Sequence, residues 1–148
     1  MAGPFYAAAF TFVLMLAAIY WHRQRRFHIT VMVSVMLFDI GMPFYLVATR
    51  DWKTRLLDDG DILSFGVWMH FGLLITLYVL YVIQVQTALK LLRASKQGEG
   101  ADAVEAIHRE HRAQGMGILV ARALVILTGA MLADPAAASE WALRNLHQ

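Results

Sequence analysis

Four long apolar runs constrain this chain more than any other feature of its sequence. They cover residues 3–21, 29–48, 62–86 and 116–133. A helix that crosses a bilayer needs roughly 20 mostly apolar residues, and all four runs are close to that length. The helices of a soluble bundle would show polar faces at helical period, and the first and third runs show none. The pattern predicts an all-α integral membrane protein, with four spanning helices in a single transmembrane domain, residues 1–148.

Composition supports a membrane environment and excludes several kinds of site. Apolar residues make up 59% of the chain and charged residues 16%, whereas soluble domains average about 45–50% and about 25%. The absence of cysteine excludes disulfides, thiolate metal sites and a cysteine nucleophile. The first positive charge, Arg23, follows the first apolar run. A signal peptide begins with basic residues, so we expect the first run to be retained.

The basic residues between the runs predict the orientation of the chain. Residues 22–28 and 87–115 hold eight of them, and the connections on the other side hold four. Cytoplasmic connections carry the excess of lysine and arginine, so the first set should face the cytoplasm and both termini the outer side. The eight are Arg23, Arg25, Arg26, Lys90, Arg93, Lys96, Arg109 and Arg112; the four are Arg50, Lys53, Arg55 and Arg144.

The connections predict an up-and-down bundle with one extension. Residues 87–96 continue the third helix with good helix formers until Gln97-Gly98-Glu99-Gly100, which should break it. Residues 101–114 look helical again and lead into the fourth run. We therefore expect a cytoplasmic helical hairpin between helices three and four. Asp134-Pro135 is a typical helix start, and it predicts a short interfacial helix on the outer side over residues 135–147.

Three ionisable residues lie inside the apolar runs: Asp39, His70 and Arg122. At about 1.5 Å per residue they lie roughly 15, 12 and 9 Å from the nearer membrane face, compatible with one layer near the midplane. Charges at that depth are costly and usually pair or mark a site. Asp39 and Arg122 are predicted to form an intramembrane polar pair, either functional or a structural ion pair that fixes helix register. His70 is either a ligand or a buried histidine hydrogen-bonded to a neighbour.

Four histidines cluster at the predicted cytoplasmic mouth of the bundle. Two of them precede the two intramembrane charges by eleven residues, about three helical turns, so each shares a stripe of its helix with a charge. Neutral imidazole is a good ligand for copper, zinc and iron. The pattern predicts a metal or heme site, with solvation by lipid headgroups as the alternative. The four residues are His22, His28, His108 and His111.

Short motifs at these positions resemble a family of small four-helix bacterial membrane proteins that includes an assembly factor for heme-A cytochrome oxidases. The similarity runs from about residue 25 to residue 133. It lies in Arg26-Phe27-His28 followed by Met32, in His70, in His108-Arg109-Glu110-His111-Arg112, and in Thr128-Gly129.

The resemblance implies an accessory or assembly protein of a respiratory or heme–copper enzyme in the bacterial inner membrane. It implies His28, His70 and His111 as cofactor-binding residues, with His108 beside them. Heme or copper is the implied cofactor, and heme fits a cytoplasmic site better because oxidase copper is usually loaded from the outer side. The implied partners are the bilayer and a larger redox complex or oligomer. Asp39 and Arg122 depart from the family pattern.

Two other functions stay open on the sequence. One is a permanent structural subunit of a membrane complex without its own cofactor. The other is a small proton or ion pathway that uses Asp39, His70 and Arg122. A free-standing enzyme is not favoured, because no nucleophile–base or carboxylate pair stands out. Nucleic acid is not an expected partner, since the basic residues lie at membrane ends where anionic lipid accounts for them.

Overall fold

The computed structural model describes residues 3–49, 61–98 and 100–133. These residues form four α-helices and no strand, so the all-α prediction is confirmed for this part of the chain. The interfacial helix predicted over residues 135–147 lies outside the described residues. The four helices are α1 (Gly3–Tyr20), α2 (Arg25–Thr49), α3 (Asp61–Gln97) and α4 (Ala101–Ala133).

Three of the helices, α2, α3 and α4, are long and apolar enough to cross a membrane. Helix α1 is apolar but shorter, with 18 residues, or about 27 Å. Large apolar side chains are exposed on all four helices, among them Phe10, Phe44, Phe65 and Val120. Water would penalise so much exposed apolar surface, whereas lipid would not. A membrane protein with three candidate spans follows, and the fourth span stays a prediction.

The turn between α1 and α2 starts the second helix earlier than the apolar pattern predicts. The backbone nitrogen of His28 donates to the carbonyl of Gln24 at 3.0 Å, so α2 begins at Arg25 rather than at residue 29. Arginine is a good helix former, and its charge ends the apolar run without ending the helix. Apolar runs therefore mark the span and not the whole helix.

The break between α3 and α4 is where the glycines predict it. Gly98 has φ +68°, a left-handed conformation that ends many helices and suits glycine. The carbonyl of Gly100 then accepts from the nitrogens of Ala103 and Val104, at 3.1 and 3.2 Å, and starts α4. Both helices extend past their apolar runs, as predicted. The side of the membrane on which this turn lies stays a prediction.

The chain falls into two compact units. Unit 1 comprises Met1–Phe71 and Val125–Gln148, and unit 2 comprises Gly72–Leu124. In unit 1, α1 packs against α2, and the buried side chains include Met15, Ala18 and Val35. That the whole chain forms one transmembrane domain stays a prediction.

Unit 2 consists of the adjoining parts of α3 and α4. Its buried residues mostly follow the three-, four- or seven-residue spacing of a helix-packing stripe. Most of the buried positions are apolar, but each helix also buries one large polar side chain. The buried residues are Leu77, Tyr81, Gln84, Thr87 and Ala94 on α3, and Ile118, Ala121 and Arg122 on α4.

Candidate functional site

His70 lies in α3, within unit 1, and its ring is held by a hydrogen-bonded chain. Its Nδ1 lies 2.8 Å from the Oγ1 of Thr128. That hydroxyl donates in turn to the carbonyl of Val125, at 3.2 Å. We assign the threonine hydrogen to the carbonyl, in which case its oxygen accepts and His70 Nδ1 donates. The neutral ring therefore carries its hydrogen on Nδ1 and presents a lone pair at Nε2.

Because Gly129 has no side chain, the His70 ring can pack closely against α4. A Cβ atom built on Gly129 would lie 3.2 Å from Cε1 of the imidazole. That distance is tighter than ordinary packing, so a side chain at this position would push the ring away. Thr128 and Gly129 thus act on the same ring, one by a hydrogen bond and the other by leaving space. Together they fix both the tautomer and the position of the imidazole.

An imidazole held in this way is suited to bind a metal ion or a heme iron through Nε2. Histidine ligands in proteins commonly donate the other ring hydrogen to a second group, which fixes the tautomer and makes the ligand more basic. Among the described residues there is no group of three or more His, Asp or Glu side chains placed to hold a metal ion. At this position the described residues offer one oriented imidazole, that of His70.

His28 and His22 both contact the carboxyl end of α1. Nδ1 of His28 lies 2.9 Å from the Ala18 carbonyl, and Nδ1 of exposed His22 lies 3.1 Å from the Ile19 carbonyl. The last carbonyls of a helix lack intrahelical donors, and histidine often supplies one. These contacts give both rings a structural role that the sequence did not indicate. They also leave Nε2 of each ring as the atom that could ligate.

His111 lies in α4, within unit 2, and its ring is engaged differently. The side-chain nitrogen of Gln84 lies 3.2 Å from His111 Nε2 and 3.3 Å from the His111 carbonyl oxygen. An amide nitrogen only donates, so Nε2 of the imidazole accepts. Its lone pair, the usual point of attachment for a metal, is therefore occupied by Gln84. In this conformation His111 is the least available of the predicted ligands.

His108 is exposed on α4, as is Glu105 one turn before it. Both therefore lie at the surface of the described chain, where contact with headgroups or a partner is possible. That two or more of the four mouth histidines share one metal stays a prediction.

Arg122 is 1% exposed and is among the largest fully buried side chains of the molecule. Its side chain is therefore turned away from lipid. Asp39 is half-buried in α2. The two residues belong to different units, and their pairing stays a prediction.

The sequence indicated His70 as a polar residue within an apolar run, but spacing alone did not indicate its partner. Thr128 is 58 positions away, and only the resemblance to a known family singled it out with Gly129. Gln84 was similarly not predicted to contact His111. The sequence did show that each of these polar residues lies on the packing stripe of an otherwise apolar helix, which is a sign that the residue has a polar partner. Which residues face each other across two helices depends on their register, which periodicity does not fix.

Comparisons with protein-family models, with curated proteins and with solved structures find no match to this chain.

Proposed function

We propose that the chain is an accessory or assembly protein of a membrane-bound respiratory or heme–copper redox enzyme, and that it handles heme through His70. The observation that carries the proposal is the chain from His70 Nδ1 to Thr128 and Val125, which leaves Nε2 as an acceptor. The resemblance in sequence motifs supports the same assignment. Heme bound there would supply an iron centre for delivery to, or insertion into, a partner enzyme.

The chain's own residues have separate parts in this proposal. His70 would bind the iron, Thr128 would keep the imidazole in the ligating tautomer, and Gly129 would keep the ring in position. His28 offers a second Nε2 at the other end of the membrane, since its Nδ1 is held by the Ala18 carbonyl. His111 would become a ligand only after it separates from Gln84. Copper is the alternative cofactor, although the described residues contain no group of three or more His, Asp or Glu side chains placed to hold a metal ion.

The proposed setting is the bacterial inner membrane, with four spans and both termini on the outer side. Helix α1 has 18 residues, close to the lower length of a spanning helix, about 17 residues. Since the chain has no cysteine, a single cysteine at position 2 or 148 reports the side directly. Both should react with an impermeant reagent in intact cells. Labelling only after lysis contradicts the orientation.

Purification of the intact protein in mild detergent tests the proposed function. An absorption spectrum with a Soret band, together with iron in metal analysis, is the expected result for protein made in heme-replete cells. Co-purification with an oxidase or another respiratory complex would support the assembly role. A colourless, metal-free protein that does not bind added heme, yet stays with a larger complex, would instead favour a permanent structural subunit.

A further inference from the structure

Gln84 is a polar side chain at the centre of the packing stripe of unit 2, and it is only 5% exposed. Its nitrogen is committed to Nε2 and the carbonyl oxygen of His111. Turning the amide over would place its oxygen against the His111 carbonyl, which is repulsive, so the orientation is fixed. The amide oxygen Oε1 is then buried with no hydrogen-bond partner among the described residues.

Gln114 repeats this arrangement on the facing helix. It lies three residues after His111, on the same side of α4, and is half-buried. Its nitrogen donates to Oε1 of Glu110 at 3.0 Å, and its own Oε1 is buried without a partner among the described residues. A Cβ on the next residue, Gly115, would lie 3.6 Å from the Gln84 nitrogen. The Gln84 amide therefore lies beside the segment of α4 that begins with Gln114.

Two buried acceptors in this part of the α3–α4 contact call for a small hydrogen-bond donor. An unpaired buried polar atom costs about 1–3 kcal/mol, which a donor removes. Anions and apolar molecules would add further repulsion or leave the oxygens unpaired. A hard cation such as Ca²⁺ takes about 6–8 oxygen ligands, far more than these residues offer. Water carries two hydrogens and is the usual partner of otherwise unsatisfied buried polar groups.

We propose that Gln84 and Gln114 bind a buried water molecule, and that it is the inner end of a polar inlet formed with Glu110. Exposure falls along this inlet, from exposed Glu110 through half-buried Gln114 to buried Gln84. Water enters from the surface of α4 and reaches the imidazole of His111 through Gln84. The inlet brings solvent to within one side chain of the His111 ring, which apolar packing would not allow. It is independent of heme binding at His70.

Water-to-protein magnetisation transfer by NMR tests the inlet on the full-length protein in lipid nanodiscs. Gln97 is exposed at the end of α3, and it serves as the positive control. We expect the side-chain amide of Gln84 to receive magnetisation from water as that of Gln97 does. Transfer at Gln97 without transfer at Gln84 overturns the proposal. So does a Gln84 signal that appears only when sodium or potassium is present, since that would indicate a cation.

A pair of variants sharpens the test. Gln84→Met removes the inner acceptor with little change in volume, and it should abolish transfer from water to the His111 ring. Gln86→Met changes an exposed glutamine of the same helix and should leave that transfer unchanged. Equal transfer to His111 in both variants contradicts the inlet. If Gln84→Met fails to fold, the transfer to Gln84 in the unmodified protein still decides the matter.

Discussion

His70 in unit 1 and His111 in unit 2 are both held in one tautomer by a neighbour, yet they are left with opposite chemistry. Thr128 accepts a hydrogen bond from Nδ1 of His70, so Nε2 keeps its lone pair. Gln84 donates to Nε2 of His111, so that lone pair is used inside the protein. Both histidines fit the same sequence description, a histidine on the stripe of an apolar helix. Under the proposed function, the type of neighbour, acceptor or donor, decides which ring keeps a lone pair for a cofactor.

The largest expected effect comes from removing the two imidazoles separately. His70→Ala should abolish heme binding. This loss of affinity is larger than the roughly 10–100-fold decrease that is typical when a group hydrogen-bonded to a ligand is removed. His111→Ala should reduce heme binding much less, because its Nε2 is already engaged. Heme titration followed by absorption measures both. His147→Ala is a control on the predicted outer side and should be silent. Equal losses for His70→Ala and His111→Ala would break the comparison.

The second effect concerns the buried charge of unit 2. If Asp39 and Arg122 pair, Arg122→Leu strands a carboxylate in the membrane and should destabilise the protein by about 3–5 kcal/mol. The double variant Asp39→Asn with Arg122→Leu should be less damaging than Arg122→Leu alone. Denaturation in detergent measures Arg122→Leu, Asp39→Asn and the double variant. A double effect equal to the sum of the two single effects would show that the residues are not coupled.

The third effect isolates the acceptor that distinguishes His70 from His111. Thr128→Val keeps the shape of the side chain but removes the oxygen that accepts from Nδ1. Heme affinity should fall by about 10–100-fold, the usual effect of losing a second group behind a ligand. Thr76→Val is the matched control, because the Thr76 hydroxyl bonds to a backbone carbonyl of its own helix, that of Gly72. If Thr128→Val binds heme with unchanged affinity, the hydrogen bond to Thr128 does not prepare His70 for heme binding.

The smallest effect is steric. Gly129→Ala places a Cβ 3.2 Å from the His70 ring, whereas a Cβ at Gly117 on the same helix meets nothing within 4 Å. Alanine should favour the helix by up to about 1 kcal/mol at either position. We expect several-fold weaker heme binding in Gly129→Ala and unchanged binding in Gly117→Ala. The same affinity in both would mean that the position of the ring does not matter.

The helices were predictable from the sequence because their causes are local. Apolar runs predict spans, and the glycines around residue 98 predict the break that ends α3. Helix α2 starts four residues before its apolar run, since charged Arg25 and Arg26 continue the helix outside that run. The hydrogen bonds of His70 and His111 were not predictable from periodicity. They depend on which residues α3 and α4 bring face to face, and apolar residues flank Gln84 in the sequence, so a slip of one residue would remove the contact with His111.

Nitrogen NMR of the histidine rings, with zinc protoporphyrin as a heme analogue that takes one axial ligand, tests the central claim most directly. Before addition, His70 and His111 should both carry their hydrogen on Nδ1. On addition, the Nε2 resonance of His70 should shift and that of His111 should stay unchanged. A shift confined to His111, or no shift in either ring despite bound porphyrin, would contradict the assignment of His70 as the ligand.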